Sequence, residues 1–514
     1  MIIKDAFWQI LWRVLSAIWG FIVLKFTTPF LGPLRFGDYN TIIKYFAIWS
    51  ALADFGLYVI ALREIGWLKT DLSKNDIDLQ DPTTKSKISD YYSKFVTSRI
   101  FNIFVVYGLA LVIVYMIPSY TDNIYLIYGL PLGMIFSATF MLSGIVQIPL
   151  QLYRKMEQTS IALTIARISQ IIFMIWVIYI YRDVNFDIIN NRNIVAFLLV
   201  IGSVLISGVF QYIYTQYASN KYIKFYRNRD WEFTKNHIIK NWKYGLSYYF
   251  SSFHILLVGI ALGVIFPTIE WFGYVWIWWL AMSLVEILLI IPSSIGNSLI
   301  HKIASHSDEA KKKSYWLLMI FLIRLWWWIA INFAVFSQNI INFVSWPKYL
   351  SAFLSSNGAD YILGFLGIVV ILTFIKQTYN YIMITFHHQN RLFEVNGIWL
   401  AIGGGVWIFL LYHYNILWWV ITQILLEGLY VFGAIYMWYR LDINPIINWR
   451  RFGFVVWLLS GLLILCKLWY IYFGFDYHIT LELVIFGVIC NLLFAIASYT
   501  FIKKILTQMW QENI

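Results

Sequence analysis

An all-α, polytopic membrane protein is the fold class the sequence predicts, and three observations predict it. Of the 514 residues, 61% are hydrophobic and 12% charged. Soluble domains carry about twice that share of charge, so this chain cannot solvate its surface in water. Apolar stretches of about 20 residues or more recur from end to end. Each is long enough to cross the hydrocarbon as a helix, and none shows the polar alternation of a membrane-spanning strand. Finally, Lys and Arg concentrate in alternate loops, as they do when one side of a membrane is cytoplasmic.

The stretches number about fourteen. They begin near Phe7, Tyr39, Phe95, Ile124, Thr159, Ile194, Tyr244, Tyr274, Tyr315, Tyr361, Leu392, Ile416, Phe452 and Thr480. The first follows "MIIKD" with no A-x-A-like cleavage site and reads as a retained helix. One set of loops holds most of the basic residues, from Lys4 through Lys69, Lys155, Lys224, Lys312, Arg391 and Arg450 to Lys504. The opposite set holds little beyond Arg35, Arg182, Arg192 and Lys348. The asymmetry, roughly six to one, predicts a multi-pass protein of a bacterial or archaeal cytoplasmic membrane with both termini inside the cell. The 26 Trp suit the many interfacial anchors such a bundle needs.

These features exclude several functions. The net charge of +12 belongs to loops beside a membrane, so no nucleic-acid partner is expected. Cys466 and Cys490 lie in apolar runs and offer neither a disulfide framework nor metal-ligand spacing. No nucleophile–base constellation and no phosphate-binding loop is present, and no cofactor or metal is expected. The paired histidines, His301/His306 and His387/His388, lie in or beside cytoplasmic turns and read as interfacial.

Two cytoplasmic loops are long. Leu68 to Ser93 is polar and lysine-rich; 219–242 mixes Lys and Arg with Tyr222, Phe225, Trp231 and Phe233. The second reads as a basic amphipathic linker lying on the inner leaflet. It divides residues 1–218, an N-terminal bundle of spans 1–6, from 243–440, a C-terminal bundle of spans 7–12. Residues 441–514 add spans 13 and 14 and a cytoplasmic tail. The halves echo each other: "LGPLRFGDY" resembles "LGVIFPTIEWFGY", and Gly37 and Gly273 mark a shift of 236 residues that also carries Lys155 to Arg391. Both halves begin inside, so the repeat is parallel, a pseudo-two-fold about the membrane normal.

Ionisable residues inside spans are costly and normally face a bundle interior or a wet cavity. In span 1, Gln9, Arg13, Ser16 and Gly20 share a helical face; in span 2, Asn40, Lys44, Ala47, Ala51 and Asp54 do so; in span 8, Ser283, Glu286 and Asn297; in span 10, Thr373, Lys376 and Asn380. Such stripes predict a polar cavity. Arg13, Lys44, Asp54, Arg167, Arg324 and Lys376 are its candidate anion and cavity contacts, and Glu286 and Asp54 are candidates for ion coupling. Arg13 and Asp54 are expected to pair, although Asp54, two residues before Gly56, also suits a helix cap or kink. Arg167 and Arg324 suit structural ion pairs as well as ligand contact. Gly129-x-x-x-Gly133 and Gly403-Gly404-Gly405 suit close helix packing or a kink.

The stretch "FGDYNTIIKYFAIWSALADFGLYVIALREIG" resembles the signature of the polysaccharide-biosynthesis (Wzx-type) flippases of the multidrug/oligosaccharidyl-lipid/polysaccharide (MOP) exporters. The residues that carry the likeness are Gly37, Tyr39, Ala53, Asp54, Gly56, Leu57, Arg63 and Glu64. "QLYRKMEQTSIALTIARI" is similar to that family's turn after span 4. The chain departs from the pattern at Trp346, at His301 and around His254 to Gly259. The resemblance implies two six-helix bundles plus two extra helices, and transport by alternating access. It also implies a cargo of oligosaccharide on a polyprenyl pyrophosphate, moved from the inner to the outer leaflet. Partners would be membrane lipids and a glycan polymerase or glycosyltransferases. An enzyme is not expected, because the outer loops are short. The alternative on the same fold is a multidrug/cation antiporter, which would need acidic cavity residues to dominate.

Overall fold

The structure, a computed structural model, describes residues 2–239 with short breaks, the longest at 75–81, and then 277–285, 308–345, 358–385, 394–399 and 416–440, with a few isolated positions besides. Spans expected from Tyr244, Phe452 and Thr480 lie outside these residues, as does the Gly403–Gly405 run. All regular structure among the described residues is helical. The helices are α1 (Ile2–Asp54), α2 (Leu57–Lys74), α3 (Pro82–Tyr115), α4 (Pro118–Thr121), α5 (Ile124–Val146), α6 (Ile148–Leu152), α7 (Met156–Ile180) and α8 (Asn191–Ser219). They continue as α9 (Asp308–Val344), α10 (Ala359–Thr385) and α11 (Ile416–Arg440). Six segments are long and apolar enough to cross a membrane. The chain is a multi-pass, all-helical membrane protein.

The first connection differs from expectation. Residues 31–39 read as an outer loop, yet α1 runs through them and breaks only at Gly32 (φ 67°, ψ 175°). Pro33 pushes its predecessor out of the helical region, and a positive φ with extended ψ is tolerated essentially by glycine alone. The break is therefore one residue wide, and helix resumes at once. The loop 68–93 is likewise mostly helix: α2 continues to Lys74 and α3 starts at Pro82, where a missing N–H costs nothing.

The chain forms two compact units, 1–279 with 389–404 and 280–388 with 405–514. The 219–242 segment falls inside the first. In that unit α8 packs on α5 and α7, and α1 packs on α7, α5 and α3. The α8 span is 56% buried, against 33% for α3 and α7. So α8 is central, and α3 and α7 turn residues such as Phe104, Val112, Ile172 and Tyr179 toward lipid. In the second unit α10 packs between α9 and α11.

Lipid tails are as apolar as leucine, so close contact rather than hydrophobic expulsion holds such helices together. The Gly129-x-x-x-Gly133 motif makes that contact. A Cβ on Gly133 would lie 2.4 Å from Ile42 Cγ2, and one on Gly129 would lie 2.4 Å from Ile42 Cδ1. Gly367 does the same in the second unit, where a Cβ would stand 2.9 Å from the Ala330 backbone. Several hydroxyls inside the spans bond to carbonyls one turn back, as Thr27 does to Val23 and Thr215 to Gln211, which satisfies those donors within their own helix.

The described part of the linker docks on the start of α3. Phe233 packs edge-on against Tyr91 and Phe95, Thr234 bonds Ser98 at 2.6 Å, and the Tyr226 N–H donates to Ser93 Oγ. Asp230 accepts from the Phe233 N–H at 2.8 Å and pairs with Lys94 at 3.1 Å.

Two outcomes follow. Gly133→Leu should destabilise the first unit by about 1–3 kcal/mol through overpacking, read as a lower unfolding midpoint in detergent, while Gly108→Ala, where a Cβ meets nothing within 4 Å, should be neutral. The Phe233 N–H and Lys94 hold the Asp230 carboxyl below the usual carboxylate range. Its contribution to docking is therefore complete above the unfolded value of about 3.9 and fades as pH falls through the lower folded one. Hydrogen exchange of 230–236 should accelerate below about pH 4, and Asp230→Asn should show that faster exchange already at pH 7.

Candidate functional site: buried charges of the helices

The "ADFGLYVIALREIG" stretch places an acid where one helix ends and the next begins. α1 stops at Asp54 and α2 starts at Leu57. The Asp54 carboxylate accepts from the Tyr58 backbone N–H of α2. Its Oδ1 also lies 2.7 Å from Arg99 Nη2 of α3, with side chains 13% and 6% exposed. Arg99 was not among the residues singled out from the sequence. The Arg13 side chain lies outside the described residues, and the Arg13–Asp54 pairing with it.

Above this pair sits a triangle of hydroxyls. Ser50 Oγ, Ser137 Oγ and Tyr107 OH lie within 2.7–2.8 Å of one another, joining α1, α5 and α3. Below it, Gln151 donates to Tyr58 OH. The first unit thus has a polar seam through its interior. At the other end of α1, Arg35 pairs with Asp38 at 2.8 Å, reaches the Phe186 carbonyl and lies 3.9 Å over the Tyr125 ring, while Asn123 donates to Asp38. That cluster fastens the Gly32 break to α5 and to the α7–α8 connection.

In the second unit Lys376 of α10 meets Glu427 of α11 at 3.3 Å, with side chains 3% and 0% exposed, and lies 5.0 Å over the Tyr430 ring. Lys376 was expected as an anion contact; the fold sets it against the Glu427 carboxylate. Lys44 is partly exposed, with its ammonium 5.2 Å from the Trp279 ring. The backbone of Arg324 lies in α9 and its side chain outside the described residues, and Glu286 lies outside them entirely.

Arg167 differs from the other cations. It stands eleven residues from Met156 and thirteen from Ile180, about 17 and 20 Å along the α7 axis. That is too deep for its side chain to snorkel to either interface. Its hydrogen-bond partner is the neutral amide of Gln170, at 2.9 Å, itself 1% exposed. The guanidinium is therefore drawn toward the protein side of α7. It also lies close enough to Tyr39 of α1 for the two to interact electrostatically. Among the described residues it has no acidic partner, yet it is only partly buried. No cluster that could hold a metal ion occurs among those residues.

Breaking the Lys376–Glu427 pair from one side should be costly. Lys376→Met removes the cation that faces a fully buried carboxylate and should destabilise the second unit by about 3–5 kcal/mol. Lys376→Met with Glu427→Leu should cost less than the single change, and unfolding midpoints in detergent measure both.

No protein-family model matches the chain, and no curated protein does. Solved structures do resemble it. The lipid II flippase MurJ in an inward closed conformation aligns with a TM-score of 0.61 and 11% identity over 95% of this chain and 98% of that one. A MOP superfamily transporter from Pyrococcus furiosus, described as having a binding pocket of reverse polarity that suggests a different function, aligns with a TM-score of 0.56 and 11% identity over 86% and 95%. An inward-facing multidrug resistance MATE family transporter of the same superfamily gives 0.53 and 11% over 85% and 94%. The chain has the fold of the MOP superfamily transporters.

Proposed function

We propose that the protein is a transporter that moves a polyprenyl-pyrophosphate-linked oligosaccharide from the inner to the outer leaflet of the cytoplasmic membrane by alternating access. The observation that carries this reading is Arg167. Three other cations within the helices, Arg35, Arg99 and Lys376, are each matched by a carboxylate within 3.3 Å. Arg167 is matched only by an amide. A guanidinium left positive at mid-membrane is expensive and is retained where an anion visits it. Phosphate oxygens are the natural visitor, because the planar fork of Arg binds them bidentately. Lys44 and Arg13 of α1 are further candidates for the same anion.

The fold supports transport, and the polar seam of the first unit fits a protein that handles hydrophilic cargo. The alternative of a cation antiporter draws less support. Asp54, one of the two acids that reading leans on, is held by Arg99, and Asp38 and Glu427 are likewise each held by a basic side chain; Glu286, the other, lies outside the described residues. The glycan would be built by glycosyltransferases on the inner face and received by a polymerase or transferase outside.

The test is leaflet-to-leaflet transfer of a lipid-linked oligosaccharide by the reconstituted protein. Arg167→Gln should lower the transfer rate by about tenfold to a hundredfold, the loss of one charge-assisted contact of about 1.5–3 kcal/mol, and Arg167→Lys should recover part of it. Transfer at the unaltered rate in Arg167→Gln, or export of lipophilic cations in place of the glycolipid, would overturn the proposal.

A further inference from the structure

The Asp54–Arg99 pair leaves most of the guanidinium unused. Arg99 is 5% exposed as a residue. Its Nη2 meets Asp54, but its Nε and Nη1 have no hydrogen-bond partner among the described residues. Together these atoms carry three N–H donors on a positive group. A buried donor without an acceptor costs about 1–3 kcal/mol, more when charged, and an unsatisfied group in a folded interior calls for water, an ion or a ligand. Nor does a side chain fill the space beside it. The neighbour is Gly144 of α5, where a Cβ would stand 3.8 Å from Nη2 and 3.9 Å from Nη1. At this position glycine presents no side-chain atom to the fork.

We propose that Arg99 is a second phosphate-binding residue, kept occupied by Asp54 until a phosphate or pyrophosphate oxygen takes the guanidinium through the gap beside Gly144. Asp54 acts as an internal anion that stands in for the ligand. The arrangement has a physical logic. A lone buried guanidinium is costly, whereas a carboxylate that already accepts from the Tyr58 backbone N–H neutralises it without needing to move far. An incoming phosphate offers more oxygens than the carboxylate and satisfies the Nε and Nη1 donors that Asp54 cannot reach. Tyr107, electrostatically coupled to both Asp54 and Arg99, stands ready beside them with the Ser50 and Ser137 hydroxyls.

The two anion stations also have a spatial relation. Tyr39, beside Arg167, and Asp54, beside Arg99, are fifteen residues apart on the unbroken part of α1, about 22 Å along its axis. Their positions differ by about 60° around the helix at 100° per residue. Phosphate groups thus have one contact near the lysine-rich end of the first unit and another near its middle. The site itself rests on Arg99 alone; that its ligand is the head of a lipid rests on the function proposed above.

The experiment uses the full-length protein purified in detergent, carrying Arg167→Gln so that the other station does not contribute. Unfolding midpoints are followed against inorganic pyrophosphate and against geranyl pyrophosphate, with sodium chloride at matched ionic strength as control. Asp54→Asn removes the competing carboxylate and should give saturable stabilisation at a ligand concentration lower by about tenfold or more than in the chain that keeps Asp54. Asp54→Asn with Arg99→Gln should give none. A stronger response to geranyl pyrophosphate identifies a lipid headgroup as the ligand, and an equal response identifies the free ion; both support the site. Gly144→Leu, which leaves the ion pair in place, should remove the residual response of the chain that keeps Asp54, and it decides the matter if Asp54→Asn fails to fold. Equal responses in the single and double variants, an unchanged response in Gly144→Leu, or stabilisation reproduced by sodium chloride would overturn the proposal. None of these outcomes depends on glycolipid transfer, so the Arg99 site and the Arg167 reading can fail separately.

Discussion

Charge inside lipid must be neutralised or solvated, and the described helices are arranged around that requirement. Asp54–Arg99 joins α1 to α3, and Lys376–Glu427 joins α10 to α11. Arg35–Asp38 extends through Asn123 and the Phe186 carbonyl to α5 and the α7–α8 connection. Each pair is weak evidence for net stability, because desolvation consumes most of the Coulombic gain. What each pair does is fix register: a helix that slid by one turn would strand a charge in hydrocarbon. Arg167, on which the proposed function rests, is met by the amide of Gln170 and by no acid among the described residues.

Packing without hydrophobic drive explains the second layer of the design. Ile42 fits against Gly129 and Gly133, and Ala330 against Gly367. These contacts bring backbones close enough for dispersion to act over long stretches of helix. The alternating access proposed for this chain would need units that keep their shape, because only such bodies can expose a site to one side and then the other.

The 219–242 segment shows how tertiary contacts redirect a pattern. Its mix of basic and aromatic residues is the pattern of a helix on a membrane surface. Phe233 nevertheless finds Tyr91 and Phe95, and Lys94 finds Asp230. Protein thus supplies an apolar partner for Phe233. Lys221, Lys224 and Lys235 remain exposed, so the basic face still turns outward.

Much of the fold was legible because lipid imposes simple rules. Length and hydropathy alone require helices in the 124–152 and 191–219 regions, since no other element satisfies its backbone there. The glycine spacing at 129 and 133 likewise announced a close contact. The sequence also showed which charges are embedded, including Arg167, Lys376 and Asp54. It could not show which of them are matched. Partner choice depends on helices 45 residues apart, as for Asp54 and Arg99, or 51 apart, as for Lys376 and Glu427, and helical periodicity reports only the face of a single helix. Hence Lys376 was expected to meet an anionic ligand and is held by Glu427, and Arg99, not singled out from the sequence, is the partner of Asp54. The sequence determined that the chain lies in lipid as helices, because solvation is a property of each segment; the tertiary structure decided where its positive charge is left available, because neutralisation is a property of pairs.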